Sequence, residues 1–502
     1  MPRKAKLIEI PAIAPLDRQA GSLSRQLSQA LRAAVRQGKL QAGDALPSTR
    51  ALAAALRLSR GTVSVAYDQL IAEGVLTAQP GSGTRVAAIA AGTPPSPSPS
   101  PSPSPSGGPH GEPTLSERAQ AFARFAGGLK PLLPVPFTVS LPVGDTAPGD
   151  IWRRLGNRVR ARGPGAPDGY GDPQGALPLR RAICEYVRQS RSVICTPEQI
   201  VVTCGTQQGL YLAAQILLDA GDRAWVEDPA YPGVTALFTT ALRDRQMVRV
   251  PVGDEGIDVD AGRVMAPDAR AAFVTPSHQY PLGMPMSMAQ RTALLGWAQA
   301  HNAWIVEDDY DSEMRYDGHP FPALQGQDPA RVIYLGTFSK VLFPSLRLGY
   351  AIVPPALVGA FCGARILMDR HPPNADQYVL AQFMAEGHLA RHLRRMRSLY
   401  AEKRRVVIDA VSRHIAAGLA ELQPCDQGMH MVLWLRRGLD DRHIERLAQE
   451  AGVSVRALSP MYAAGHGRSG LILGLGGYGD RQVEQAVITL NQLLQTAQNL
   501  RR

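Results

Sequence analysis

Lysine is scarce in this chain: Lys4, Lys6, Lys39, Lys130, Lys340 and Lys403 are the only six among 54 basic residues, the other 48 being arginine. Arginine is therefore the ordinary surface cation, and a lysine set at 340, between an apolar run and a Pro-containing turn, points to a need for an amine, because only lysine forms Schiff bases. Cysteine is also sparse. Cys184, Cys195, Cys204, Cys362 and Cys425 are scattered, odd in number and without CxxC spacing, which argues against a disulfide framework and a zinc site; reduced thiols and no metal are expected. No run of about 18 to 20 uncharged apolar residues occurs, and no apolar core follows the basic start Met1 to Ile10, so neither a membrane span nor a secretory signal is read and a cytoplasmic location is expected.

What is present is enough for more than one domain: 502 residues, 45% of them hydrophobic and 19% charged. The net charge of +11 is uneven. Residues 1 to 90 hold 12 Lys+Arg against 5 Asp+Glu, or +7, leaving +4 for the rest, an electrostatic footprint suited to nucleic acid at the N-terminal end. From Pro94 to Ser106 the sequence alternates Pro and Ser, which cannot form a packed core and predicts an extended linker reaching roughly 40 Å at about 3.1 Å per residue.

Before that linker, Leu23, Leu27, Ala30, Leu31 and Ala34 predict a helix over 23–37 that ends at Gly38. Pro47 and Ser48 start a short second helix, and after the Leu58-Ser59 turn, Val63, Ala66, Tyr67, Leu70 and Ile71 mark a third that stops at Gly74. Two helices joined by a tight turn are a helix-turn-helix, and the short strands around Pro80-Gly81-Ser82-Gly83 supply a wing. The third helix opens Ser59-Arg60-Gly61-Thr62, so Arg60 could reach a guanine edge and Arg50, on the second helix, a phosphate or base; both could equally be solvated surface arginines.

After the linker, apolar runs at Ile200–Thr203, Ala224–Glu227, Ala271–Thr275, Ala303–Glu307, Arg331–Leu335 and Leu348–Val353 alternate with helical patterns, predicting a mostly parallel sheet with helices on both faces. The tail reads as a smaller α+β subdomain: a long basic helix from about His388 to His414, then strands at Met429–Leu435 and near Val453 and Leu471. Around Lys340, Thr337, Ser339 and Arg347 offer hydroxyls and a guanidinium for a phosphate, and Gly205-Thr206-Gln207 opens a helix whose free amides make a second clamp. At another strand end, Glu307-Asp308-Asp309-Tyr310 could hold a pyridine nitrogen and a ring hydroxyl, although such acidic clusters also occur as solvated loops or metal sites.

Two sets of motifs carry a resemblance. Gly43-Asp44-Ala45-Leu46-Pro47-Ser48-Thr49-Arg50, Leu58-Ser59-Arg60-Gly61-Thr62-Val63 and Gly81-Ser82-Gly83-Thr84 are similar to the winged helix-turn-helix of GntR-type regulators, which implies DNA contacts at Arg50, Arg60, Thr62 and Gly81; Arg85 departs from the aromatic usual there. Tyr170-Gly171-Asp172-Pro173, Gly205-Thr206-Gln207, Glu227-Asp228-Pro229-Ala230-Tyr231, Glu307-Asp308-Asp309-Tyr310-Asp311 and Gly336-Thr337-Phe338-Ser339-Lys340 resemble fold-type I aminotransferases. The whole chain thus resembles the MocR family of regulators, an α/β protein with a winged helix-turn-helix joined to a PLP-dependent transferase fold (fold type I) and a smaller α+β C-terminal subdomain. The division it implies is an N-terminal arm, 1–22; a DNA-binding domain, 23–88; a Pro/Ser-rich linker, 89–135; and an aminotransferase-like domain, 136–502.

The resemblance implies pyridoxal 5'-phosphate as cofactor, with Lys340 holding it in a Schiff base, Asp308 on the pyridine nitrogen, Tyr310 on the ring oxygen and Tyr231 stacked on the ring. Thr206, Gln207, Ser339 and Arg347 would bind the phosphate, with Tyr170 reaching it from a partner subunit. A homodimer, with heads able to cross between subunits, a double-stranded DNA operator and a small-molecule effector, either an amine or pyridoxal phosphate itself, are the implied partners.

Two positions depart from the enzymes. Tyr280 stands where they have Asn before Pro-x-Gly, and Ile472 stands at the place of their carboxylate-binding arginine. An α-amino acid loses a bidentate partner there, so either another arginine such as Arg456 compensates or the effector lacks an α-carboxylate. The reading is a regulator without physiological turnover, any chemistry being an aminotransferase-like half reaction. The alternatives are an aminotransferase with an appended head and a cofactor-free scaffold, the latter disfavoured by the intact Lys340, Asp308, Tyr310 and Arg347 set.

Overall fold

The computed structural model describes residues 16–18, 20–79, 83–88, 114–128, 133–142, 147–161, 163, 169–242, 245–463 and 467–499. The chain divides into two units, Met1–Glu112 and Pro113–Arg502. The Pro94–Ser106 run lies outside the described residues, as does Gly81. The span read as linker, 89–135, is corrected at its far end: Glu117–Gly128 is a helix of the second unit, and it packs against Leu237–Ala241. Its sequence, ERAQAFARFAGG, is rich in strong helix formers that the Pro/Ser run beside it obscured.

In the first unit, α1 (Leu23–Arg36), α2 (Thr49–Leu56) and α3 (Arg60–Ala72) close around Leu27, Leu31, Leu52, Val63, Tyr67 and Leu70, all buried. Both functional helices start on a serine cap: Ser48 Oγ accepts from Ala51 N–H at 3.2 Å and Ser59 Oγ from Thr62 N–H at 3.0 Å. The wing is the antiparallel pair β1 (Leu76–Gln79) and β2 (Gly83–Val86). Arg85, the residue out of pattern, has a structural use, since its guanidinium donates to the Gly43 carbonyl at 2.9 Å and ties the wing to the loop before α2.

The second unit is organised by an eight-stranded sheet built from β3 (Ile200–Thr203), β4 (Arg223–Asp228), β5 (Gln246–Gly253), β6 (Gly256–Ile257), β7 (Ala271–Val274), β8 (Trp304–Asp309), β9 (Val332–Thr337) and β10 (Gly349–Ile352). Their spatial order is β3-β10-β9-β8-β7-β4-β5-β6. Strands β9, β8, β7, β4 and β5 run parallel; β10 is antiparallel to both of its neighbours, and β6 to β5. Along the central strands, neighbouring residues alternate between the two faces: Val226, Val306 and Ile333 pack into one apolar layer and Trp225, Ile305 and Val332 into the other. With both faces covered, the ligand-accessible positions of such a sheet are the carboxyl ends of its parallel strands. Those ends carry Asp228, Asp308, Asp309 and Thr337.

The smaller subdomain is an antiparallel sheet ordered β11-β12-β14-β13, with β11 (Ala420–Leu422), β12 (His430–Leu435), β13 (Arg456–Ala457) and β14 (Gly470–Gly474). The long basic helix occupies His388–His414 as expected and packs against the last helix, Asp480–Asn499. The strand expected near Val453 sits slightly later, at Arg456–Ala457. Among the described residues no helix is long and apolar enough to cross a membrane.

Candidate cofactor and DNA-binding sites

Lys340 follows β9 by three residues and is half-buried. Burial pushes its amine down to about 8, with Arg456 and Arg347 contributing in the same direction and Asp311 and Asp308 opposing. A pKa near 8 leaves about a fifth of the amine neutral and nucleophilic at pH 7.4, against about a thousandth for an ordinary lysine. Asp308, next to last on β8, is buried too; burial and the neighbouring Asp309 push it up to about 7, while a hydrogen bond from Thr206 and the charge of Lys340 pull it back.

Two buried polar atoms here have no partner within the chain: Asp308 Oδ1 and Ser339 Oγ. Buried polar atoms are normally bonded, so these two mark where a ligand's own polar groups belong. Their positions fit pyridoxal phosphate, one oxygen for a pyridinium N–H and one hydroxyl for a phosphate. The phosphate end is completed by Gly205, whose φ of +79° lets the chain turn into the helix Thr206–Leu217 and whose missing Cβ would otherwise lie 3.2 Å from the Arg347 guanidinium. Arg347 donates to the Cys204 carbonyl at 2.6 Å, which holds it over that turn.

Other residues of the set are turned in ways the sequence does not reveal. Thr206 gives its side chain to Asp308. Gln207 donates its amide to the Gly233 carbonyl at 3.0 Å, leaving the helix-end backbone N–H groups as its phosphate-facing part. Tyr231 lies over Gly233, where a Cβ would meet its ring at 2.3 Å, so the glycine clears room for the aromatic. Tyr170 is 76% exposed, under the Arg370 guanidinium at 3.8 Å.

A second layer, whose hydrogen bonding the motifs do not specify, lies behind these groups. Tyr310 Oη is 2.9 Å from His278 Nδ1, and that nitrogen is 3.0 and 3.1 Å from the two oxygens of Asp311. His278, Asp311 and His430 place ligand-type atoms within 4.8 Å of one another, but His278 Nδ1 is engaged by Asp311 and His430 Nε2 by the Pro281 carbonyl at 2.8 Å. Behind Asp309, Arg191 forms a fully buried ion pair at 2.8 Å, and Ser312 donates to the same carboxylate. The only sequence signal for this layer was its adjacency to the named motifs.

In the first unit Arg50 and Arg60 are exposed, and among the described residues neither side chain makes a hydrogen bond or ion pair. Thr62 is committed locally, its hydroxyl 2.7 Å from that of Ser59.

Comparison with known proteins places these two units. Residues 153–471 match the family model Aminotransferase class I and II, and residues 23–86 match Bacterial regulatory proteins, gntR family. The chain is 40% identical over 479 residues to the probable rhizopine catabolism regulatory protein MocR of Rhizobium meliloti, covering 95% of this chain and 94% of that one. It is 34% identical to the pyridoxine biosynthesis transcriptional regulator PdxR of Corynebacterium glutamicum, over 91% of this chain and 92% of that one. Among solved structures, the α-aminoadipate aminotransferase LysN of Thermus thermophilus, complexed with N-(5'-phosphopyridoxyl)-L-leucine, superposes with a TM-score of 0.68 at 27% identity, over 77% of this chain and 100% of that one.

Fold and site together define a DNA-binding transcription regulator that carries pyridoxal phosphate on an aminotransferase-type domain. The chain belongs to the MocR family of GntR-type regulators.

Proposed function

We propose that the Lys340 site is the sensor of this regulator and that its occupant is an amine or pyridoxal phosphate itself. Pyridoxal phosphate, when bound, would supply an electrophilic aldehyde carbon toward primary amines. Lys340 would offer its amine as the attachment point, Asp308 would keep the pyridine nitrogen protonated, Tyr231 would cover the ring and Tyr310 would meet the ring oxygen. Ser339, Arg347 and the Thr206–Gln207 helix start hold the phosphate, with Tyr170 supplied by the partner subunit of a cytoplasmic homodimer. The dimer reading is supported by a patch of exposed Ile366, Leu367 and Met368, on the helix next to the Arg370 that covers Tyr170. On the DNA side, Arg60, Arg50, Thr62 and the wing residue Gly81 would read the operator. A ligand acts only by favouring one arrangement of the domains over another.

The observation that carries this reading is the pair of unsatisfied buried atoms, Asp308 Oδ1 and Ser339 Oγ, beside a half-buried amine lowered to about 8. The effector's own chemistry is narrowed by Arg456. In the sheet register Arg456 lies directly opposite Ile472, the position of the arginine that the enzymes use, so its side chain enters the site from the neighbouring strand. Its one hydrogen bond among the described residues is a long 3.5 Å contact to Tyr280 Oη, and the carboxylate that acts on its charge is Glu445, which accepts from the neighbouring Ala457 N–H. An amine that also carries an acidic group fits this better than a plain amine. The test is a visible-absorption titration of the loaded protein with amines, amino acids and sulfonates, operator binding being followed in parallel. A ligand that changes both supports an amine sensor. Sensitivity of DNA binding to cofactor removal alone supports sensing of pyridoxal phosphate, and sustained formation of a keto product would overturn the regulator-only reading.

A further inference from the structure

The segment that the functional reading leaves unused is Ser277-His278-Gln279-Tyr280. Gln279 is spent on the chain, donating to the Pro229 and Tyr280 carbonyls at 2.9 Å each. Tyr280 turns its hydroxyl to Arg456, and its ring meets those of Tyr231, Tyr310 and His430 edge-on. That leaves Tyr310 as the phenol free to face the cofactor's ring oxygen, and His278 as the group in contact with its hydroxyl.

The direction of that hydrogen bond follows from the neighbours. Both oxygens of Asp311 lie at 3.0 and 3.1 Å from His278 Nδ1, and Oδ2 also accepts from the Met429 N–H at 3.1 Å. A carboxylate that accepts from two nitrogens has only lone pairs to offer, so Nδ1 must carry the hydrogen. The Tyr310 oxygen, 2.9 Å from the same Nδ1–H, is then an acceptor, and its own proton remains available on its other side. The pair is buried: His278 is 3% and Asp311 2% exposed. Burial alone would lower the imidazole's pKa, but the Asp311 carboxylate outweighs it and holds His278 up to about 10. The other groups facing this cluster are Cys425, whose Sγ is 3.9 Å from His278 Nε2; His430, tilted against His278 at 5.0 Å and pushed down to about 4 by burial and by His278; Tyr316, beside Asp311; and Asp308, Tyr280 and Lys340 on the cofactor side.

We propose that His278, paired with Asp311, donates to the Tyr310 oxygen and so directs the Tyr310 proton at the cofactor's ring oxygen, making His278 and Asp311 positioning residues that set the proton affinity of the nitrogen joining Lys340 to the cofactor. This rests on the assignment of Lys340 and Tyr310 above. A phenol that accepts from a cation is a stronger donor, and it stabilises negative charge on the ring oxygen. A stabilised ring oxygen gives less help in holding the proton it shares with that nitrogen, so the nitrogen titrates at lower pH.

The experiment is a pH titration of the visible band in fully loaded wild type, His278→Gln, Asp311→Asn, Tyr310→Phe and the Tyr310→Phe/His278→Gln double variant. The midpoint is expected to rise by about one unit, a tenfold gain in proton affinity, in His278→Gln and Asp311→Asn. The double variant should titrate like Tyr310→Phe alone, because His278 acts through that hydroxyl. A role confined to packing would lower loading or thermal stability and leave the midpoint in place. An unchanged midpoint in a loaded His278→Gln or Asp311→Asn protein overturns the proposal, as does full additivity in the double variant. Should both single variants fail to load, the titration of Tyr310→Phe decides: a midpoint equal to wild type overturns it. A Lys340→Ala protein that retained the band would defeat the underlying assignment instead, so the two failures are separable.

Discussion

The two functional sites of this regulator are built on opposite principles. In the DNA-binding unit the groups proposed to read the operator are those left on the outside: Arg50 and Arg60 are exposed and unbonded among the described residues, while Thr62 and Ser59 are used to shape the helix start. In the cofactor unit the informative groups are those left unsatisfied on the inside, Asp308 Oδ1 and Ser339 Oγ, in a wall where most other polar groups are bonded. An exposed cation costs little to maintain and is screened by salt. A buried carboxyl beside a second carboxyl is costly and is held in place by its surroundings, here Thr206 and the Arg191–Asp309 pair. Damage to the first site should therefore be graded and salt-dependent, and damage to the second abrupt.

The largest expected effect is qualitative. Lys340→Ala should abolish the visible band of bound cofactor while leaving thermal unfolding cooperative, as read by absorbance and circular dichroism; a retained band would remove Lys340 from its role. Next, Leu70→Ala, at a site with no exposed surface in the core of the first unit, should destabilise the head by about 2–5 kcal/mol and abolish operator binding at 37 °C. The cofactor band should be untouched, and its loss would break the idea of two independently folded units.

Asp308→Asn should weaken cofactor binding ten- to a hundredfold, corresponding to about 1.5–3 kcal/mol for a lost charged hydrogen bond, measured by equilibrium dialysis. Arg60→Ala should cost about 1–3 kcal/mol in operator affinity if it reads a base, and each phosphate-contacting arginine removed should lower the salt slope by about 1. Arg60→Ala should leave the band in place.

The smallest effect is one of pH. Asp308 is raised to about 7 by burial, so in the cofactor-free protein the folded state holds its proton more tightly than the unfolded chain. Its contribution to stability is therefore lost progressively as pH rises from about 4 to 7. Asp308→Asn should consequently raise the melting temperature of cofactor-free protein at pH 8, and this gain should vanish near pH 4. A variant that is less stable than wild type at pH 8 would show that the buried carboxyl is not strained.

Much of this was legible in the sequence for a physical reason: short apolar runs and turn residues report burial and backbone conformation directly. Ile200–Thr203 was placed to the residue, and the helix His388–His414 likewise. Strand β5, Gln246–Gly253, escaped because it pairs near the sheet edge and mixes polar with apolar residues, and the antiparallel sense of β10 leaves no trace in composition. The motifs identified which residues surround Lys340 but not their partners. That Thr206 turns to Asp308, that Gln207 turns to Gly233 and that Arg456 faces Ile472 across a strand pair are consequences of long-range register. The His278–Asp311–Tyr310 cluster joins two segments more than 30 residues apart, a contact no local pattern encodes.

We propose that the buried site and the exposed one are coupled, and binding free energies make such coupling reciprocal. The most direct measurement is therefore the affinity of the loaded protein for its effector, or of the cofactor-free protein for pyridoxal phosphate, with and without saturating operator DNA. Operator should change that affinity by the same factor by which the ligand changes operator affinity, about 5- to 150-fold for a typical allosteric regulator. Identical titrations with and without DNA would contradict the account, leaving two sites that share a chain but not a function.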